Sequence, residues 1–178
     1  MKIEEHIPLL EEILGDRKDE IGKDFAGYKN HVYRMINFCF AQETDFPKAD
    51  REKIIIAGCF HDIGIWTGAT FDYLPPSNDA AGEYLTQNKL EKWIPEIASM
   101  IEMHHKLGKY HGNHLTEIFR KGDLVDFSLG LVKCGLPKAF VKSVKKQFPN
   151  AGFHKRLVRL AGGWICRHPL NPIPVLKW

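Results

Sequence analysis

The chain of 178 residues fits one domain and is long enough to bury a core of its own. Its hydrophobic fraction of 44% and charged fraction of 26% are those of an ordinary soluble globular protein. The formal net charge of +3 is too small to indicate nucleic-acid binding by itself, but it does not exclude an anionic small molecule as a ligand.

The N-terminus and the cysteines indicate the compartment. The first residues, MKIEEHIPLLEEILGD, place Glu and Pro where a signal peptide would be apolar. No apolar run approaches membrane-spanning length. The four cysteines are scattered without CxxC spacing, as expected of free thiols in a reducing compartment. These features predict a cytoplasmic protein without a membrane partner.

Helical periodicity begins near the N-terminus. The first two stripes consist of apolar residues three or four positions apart: Ile7, Leu10 and Leu14, and then Tyr28, Val32, Met35 and Cys39. A third helix is predicted from Pro47 to about Gly64. Because this third helix is apolar on most sides, we expect it to lie at the centre of the fold.

Further helical patterns follow, separated by Gly- and Pro-containing breaks. The segment TGATFDYLPPSND (67–79) is predicted to be a loop. Helices are predicted at about 79–87, 91–106, 115–132, 138–148 and 151–167, with an extended Pro-rich tail after them. No alternating strand pattern appears, so the sequence predicts an all-α, single-domain bundle over 1–178. We expect its core to span about 22–132, with the helices of 138–168 packed on that core.

Histidine and aspartate residues interrupt several of these apolar helices. They are His31 on the second predicted helix, His61 and Asp62 at the end of the third, His104 and His105 at the end of the fifth, and Asp123 and Asp126 on the sixth. Taken singly, each is typical of a hydrogen-bonded core histidine or a capping aspartate. Taken together, such side chains can converge inside a helical bundle and bind a metal ion. A divalent cation would also compensate the charge of Asp62 in its apolar run.

The type of ligand narrows the choice of ion. Imidazole and carboxylate together suit Mn, Fe, Co, Ni or Zn better than Ca. Within this group the sequence does not select one metal.

Three segments resemble the HD superfamily of metal-dependent phosphohydrolases. They are NHVYRM (30–35), FHDIG (60–64) and GDLVD (122–126). A His-Asp pair alone is a weak signal, but a preceding histidine at position 31 and a later GDxxD make the pattern strong. The segment DYLPPSNDAAGEYL (72–85) is similar to the one that follows the pair in some small bacterial members. The resemblance covers about 28–132.

The resemblance implies a helical bundle of the HD type with one divalent metal ion. The implied ligands are His31, His61, Asp62 and Asp123. Asp123 is preferred over Asp126 because the ligand in the family is normally the first acid of the D-x-x-D element. Periodicity alone does not decide between the two acids, and Asp126 is interpreted as a supporting or exposed residue.

The same resemblance implies hydrolysis of a phosphomonoester or phosphodiester, with a nucleotide as one candidate substrate, by metal-activated water. Some members carry an acid or a lysine three residues after the HD aspartate, where this chain has Ile65. We therefore expect His104 or His105 to transfer protons. Arg34, three residues after His31, is the first candidate for binding phosphate because a guanidinium fits phosphate oxygens.

Two other functions stay open at this level. One is a di-iron oxygenase of the HD fold, for which His104, His105, His111 and His114 are candidate additional ligands, although 64–103 contains no histidine. The other is a non-catalytic module that binds a nucleotide or a metal. A nucleic-acid partner is not expected, because the lysines of 138–146 fit a solvated helix face. The sequence leaves the oligomeric state open.

Overall fold

Helices account for the regular secondary structure in this computed structural model, which describes residues 1–43, 45–68, 71–168, 170, 174 and 175. They are α1 (Pro8–Asp16), α2 (Lys18–Ile21), α3 (Phe25–Phe40), α4 (Lys48–Phe60), α5 (Gly64–Thr67), α6 (Leu74–Gln87), α7 (Ile94–Met103), α8 (His114–Phe127), α9 (Lys138–Gln147) and α10 (Phe153–Arg167). These residues contain no β-strand, and the predicted all-α bundle is confirmed. Most of the predicted extended tail lies outside the described residues.

Helices α3 and α8 pack against each other at the centre of the bundle. Their close approach depends on Gly122, the first residue of GDLVD. A Cβ atom at this position would lie 2.3 Å from Cys39 Sγ and 2.9 Å from the Met35 carbonyl oxygen. Because a side chain would force the two helices apart, Gly122 allows the next residue, Asp123, to reach the residues of α3.

The central helix α4 ends earlier than predicted. It stops at Phe60, and a tight turn leads into the short helix α5. Gly64 lies against the segment before α6, where an added Cβ would come 2.2 Å from the Tyr73 carbonyl oxygen. The Gly64 amide also donates to Ser77 Oγ at 3.0 Å. The glycine of HDIG therefore allows this segment to pack on the turn that carries His61 and Asp62.

Two other boundaries differ from the prediction. Helix α6 begins at Leu74, inside the predicted loop, with Pro75 and Pro76 in its first turn. Proline is tolerated there because the first amides of a helix have no intrahelical acceptor. Helix α8 ends at Phe127 because Leu129 and Gly130 adopt positive φ values of 55° and 81°. A left-handed residue of this kind closes a helix rather than extending it.

The C-terminal helices add to the core unequally. Helix α9 buries Phe140, Val141 and Val144 and keeps most of its lysines exposed. Helix α10 buries Phe153 at its start, while the rest of the helix is partly exposed. None of the helices in the described part of the chain has the length and apolar character required to cross a bilayer.

Candidate metal centre

The four predicted metal ligands meet at one buried point between α3, α8 and the turn after α4. They are His31, His61, Asp62 and Asp123, each no more than 2% exposed. The Nε2 atoms of the two histidines lie 3.0 Å apart. Asp62 Oδ2 lies 3.4 Å from His61 Nε2, and Asp123 Oδ1 lies 3.7 Å from His31 Nε2. Ligand atoms about 2.1 Å from one shared ion are roughly 3 to 3.5 Å apart, so the arrangement is close to a ligand set.

The two histidines direct their Nε2 atoms towards each other. His31 Nδ1 lies 2.7 Å from Asp126 Oδ2, and His61 Nδ1 lies 2.8 Å from the Gly58 carbonyl oxygen. Because these oxygens accept, the proton of each ring belongs on Nδ1. Burial lowers the pKa of His31 to about 4, so this ring is neutral at pH 7. With both rings neutral and protonated on Nδ1, the two Nε2 lone pairs would face each other at 3.0 Å, and a cation bound between them would remove their repulsion.

The two carboxylates also fit a cation. Burial opposes the charge of Asp62, but His61 and His104 hold the pKa of its carboxyl well below the usual range. Burial raises the pKa of the Asp123 carboxyl to about 8; His104 opposes this shift and the charge of Asp62 adds to it. Without a cation, only one of the two acids is therefore mainly ionised at pH 7. The carboxylate oxygens that face away from His31 and His61, Asp62 Oδ1 and Asp123 Oδ2, are buried without a hydrogen-bond partner among the described residues, so they too could contact a cation.

His104 and His105 lie on the opposite side of these carboxylates. His104 is buried and donates from Nδ1 to the Ile101 carbonyl oxygen at 2.6 Å, and its Nε2 lies 3.6 Å from Asp62 Oδ1. His105 Nδ1 lies 3.8 Å from Asp123 Oδ2. Each carboxylate therefore directs one oxygen towards His31 and His61 and the other towards His104 or His105. Among the described residues, three overlapping groups of these histidines and acids are each close enough to hold a metal ion.

Arg34 does not face this centre, and the predicted phosphate contact is not supported. The side chain is buried, and Nε and Nη2 donate to the two carboxylate oxygens of Asp126 at 2.5 and 2.7 Å. Its Nη1 donates to the Phe148 carbonyl oxygen at 3.0 Å. The guanidinium is thus used inside the protein, where it positions Asp126.

Asp126 is the supporting acid that the sequence left undecided. It accepts hydrogen bonds from both His31 and Arg34. Burial opposes its charge, but these two partners hold the pKa of the carboxyl well below its usual range. The i, i+3 spacing offers a signal for this network: His31 and Arg34 share one face of α3, and Asp123 and Asp126 share the facing side of α8.

Two aromatic neighbours were not predicted from the sequence. The Tyr73 hydroxyl lies 2.7 Å from His105 Nε2 and orients that ring. The Phe153 ring stacks on His31, with centroids 4.1 Å apart. Two other histidines do not join the centre: His111 is exposed, and His114 is exposed and contacts Glu43.

A cavity of about 380 Å³ opens beside His104, His105 and Asp123. A larger cavity of about 760 Å³ lies between α1 and α4 on another face and is lined by none of the predicted site residues. A substrate of the candidate centre would therefore bind in the smaller cavity, which adjoins the centre.

Comparisons of the chain with protein-family models, with curated proteins and with solved structures find no match. The resemblance to the HD superfamily thus depends on the three segments quoted above, and the function that it implies is a proposal.

Proposed function

We propose that this chain is a metal-dependent phosphohydrolase of the HD type, with a divalent cation held by His31, His61, Asp62 and Asp123. One observation carries the proposal: His31 Nε2 and His61 Nε2 face each other at 3.0 Å beside two buried carboxylates. A cation held by these four side chains would let both acids ionise.

A divalent cation bound there would lower the pKa of a coordinated water and offset negative charge on a phosphoryl oxygen. The protein supplies orientation through Asp126, which fixes the tautomer of His31 and is itself fixed by Arg34. It also supplies a proton acceptor. Burial holds the pKa of His105 well below its usual value, so the ring is neutral at pH 7, and a bound phosphate anion would raise that pKa towards the range of a proton acceptor. When Nε2–H donates to the Tyr73 oxygen, the Nδ1 lone pair is available to accept a proton beside Asp123.

The test uses protein stripped with a chelator and reloaded separately with Mn, Fe, Co, Ni or Zn. Turnover of p-nitrophenyl phosphate, bis(p-nitrophenyl) phosphate and a nucleotide panel is expected with at least one metal. His31→Ala and Asp62→Ala should abolish that turnover, while His114→Ala, which changes an exposed histidine, should leave it intact. Circular dichroism and thermal unfolding check that the variants fold. Turnover that survives in His31→Ala would identify a contaminating enzyme.

Absence of turnover with every metal, together with tight nucleotide binding, would instead favour the non-catalytic module. The same panel therefore separates the phosphohydrolase from a binding function.

A second candidate, the di-iron oxygenase, is favoured by one observation. His104 Nε2 and His105 Nδ1 lie against the carboxylate oxygens that face away from His31 and His61. His104 and His105 could therefore hold a second ion beside one held by His31 and His61, with Asp62 and Asp123 as carboxylates near both positions. A content of two iron ions per chain, an iron-specific absorption or Mössbauer spectrum, and substrate-dependent oxygen uptake would favour this function over hydrolysis.

A further inference from the structure

The cavity beside the proposed metal centre is mainly apolar. Its described lining residues are Phe71, Tyr73, His104, His105, Lys106, Leu107, Asp123, Leu124, Phe127, Leu157, Val158, Ala161 and Val175. His104, His105 and Asp123 belong to the candidate centre and form one end of the cavity. The other walls consist almost entirely of aliphatic and aromatic side chains. These walls favour an apolar group in the part of a ligand that leads away from the centre.

The cavity offers little positive charge. Lys106 is the only lysine or arginine among its described lining residues. A nucleoside diphosphate or triphosphate carries several negative charges and is usually bound by several cationic side chains or backbone amides. One lysine and a metal ion suit a single phosphate group. The volume of about 380 Å³ is also near the lower end of the range for small-molecule sites.

The apolar surface continues to the mouth of the cavity. Leu107, Phe127 and Val158 are 57%, 52% and 72% exposed, and they come from the loop after α7, from α8 and from α10. Large apolar side chains gathered at the mouth of a pocket are characteristic of a ligand-binding surface. A ligand that extends from the centre to the solvent would therefore contact apolar groups along its whole length.

We infer that the substrate is a phosphate monoester of an apolar alcohol, alkyl or aryl, rather than a nucleoside polyphosphate. The phosphate lies at the metal centre near His105, and the apolar group packs against Leu124, Leu157 and Ala161. This inference depends on the proposed phosphohydrolase function, because the metal centre is what places the phosphate. A phosphate monoester of an apolar alcohol therefore replaces the nucleotide as the expected substrate, because the cavity walls favour an apolar group.

The test measures binding, so that it does not depend on turnover. Metal-loaded protein is titrated by calorimetry with ethyl-, butyl-, hexyl- and octylphosphonate, which cannot be hydrolysed at the C–P bond. Each buried methylene should increase the affinity about threefold to fourfold until the cavity is full. AMP and glycerol 2-phosphate should bind more weakly than hexylphosphonate. Equal affinity along the alkyl series would overturn the inference.

Two variants of α10 provide a matched comparison. Val158 and Ile165 are both β-branched and exposed, but only Val158 lines the cavity. Val158→Asn should weaken octylphosphonate binding about fivefold, as expected for the loss of about 40 Å² of apolar contact, and should leave methylphosphonate binding unchanged. Ile165→Asn should change neither. Equal losses in the two variants would contradict the assignment of the cavity as the binding site.

Measurements of turnover distinguish a failure of this inference from a failure of the proposed function. If affinity rises with chain length but hexyl phosphate is not hydrolysed with any metal, the apolar ligand class stands and the hydrolase proposal fails. If p-nitrophenyl phosphate is hydrolysed but the phosphonate affinities are equal, the hydrolase proposal stands and the apolar substrate class fails.

Discussion

The two sides of the candidate centre differ in how their histidines are held. On the α3 side, His31 is fixed by Asp126, which is fixed in turn by Arg34, and all three side chains are buried. On the α7 side, His104 Nε2 has no hydrogen-bond partner among the described residues, and His105 adjoins the cavity. A side whose ring is oriented by a buried hydrogen-bond network suits the binding of an ion, and a side with unpaired groups at a cavity suits contact with a reacting molecule.

The largest effect is expected from substitution of His61, a proposed metal-ligating residue on the turn between the α3 side and the α7 side. His61→Ala removes one of the two facing Nε2 atoms, and we expect it to abolish both metal binding and metal-dependent activity. Metal content after dialysis and turnover of p-nitrophenyl phosphate provide the measurements. His114→Ala serves as the control because His114 is exposed and contacts Glu43. Full metal content in His61→Ala would show that the ion lies elsewhere.

The α7 side should affect the reaction more than the binding of an ion. His105→Gln is expected to lower kcat about a hundredfold or more, as for loss of a proton-transfer group. The affinity for a single ion should stay close to that of the unaltered protein. Calorimetric titration with the metal and steady-state kinetics separate the two quantities.

The outcome also distinguishes one ion from two. A metal content that falls from two ions to one in His105→Gln or His104→Ala would make these histidines ligands of a second ion. Such a result would remove the proposed division of roles between the two sides.

The supporting network on the α3 side should give a smaller effect. Asp126→Asn weakens the hydrogen bond that orients His31, and metal affinity is expected to fall about 10- to 100-fold. It also leaves Arg34 buried without its charge partner, so stability should fall as well. Glu117→Gln on the same helix is a matched control, because it breaks the buried pair with Arg120 outside the candidate centre. It should lower stability without weakening metal binding.

The residues of the α3 side share helix faces that periodicity can reveal, whereas the contacts of the α7 side cannot be found in this way. His31, Arg34, Asp123 and Asp126 occupy i, i+3 positions on helices, so their common faces follow from periodicity. The pairing of those faces depends on the close approach of α3 and α8 at Gly122, which periodicity does not reveal. Arg34 was consequently assigned to phosphate, although its nearest acid is Asp126.

The contacts on the α7 side depend on turns of the chain that the local sequence pattern does not predict. Tyr73 lies just before α6, in a segment predicted to be a loop because of Pro75 and Pro76. The two prolines are compatible with the first turn of a helix, so they mark where α6 starts rather than the absence of a helix. His105 and Tyr73 meet because α6, which follows Tyr73, packs against α7, which precedes His105.

The smallest effect is the release of a proton from Asp123, one of the two carboxylates that lie between the α3 side and the α7 side. In the metal-free protein the pKa of Asp123 is about 8, and that of His31 is about 4. At pH 7, Asp123 is therefore mostly protonated and His31 is already neutral, so binding of a cation should release about 0.9 proton from Asp123. Above about pH 9 Asp123 is ionised before binding, and this release should approach zero.

Calorimetric titrations in buffers of different ionisation enthalpy measure the number of protons released at each pH. A release that declines between pH 7 and pH 9 identifies Asp123 as the source, because its proton is progressively lost from the free protein. A coordinated water with a pKa near 7 would give the opposite trend, since more of it ionises as the pH rises. Metal affinity should accordingly rise nearly tenfold per pH unit below pH 8 and level off above it. A proton release that does not decline between pH 7 and pH 9 would contradict Asp123 as the source of the proton. The cation would then not be what allows Asp62 and Asp123 to be ionised together.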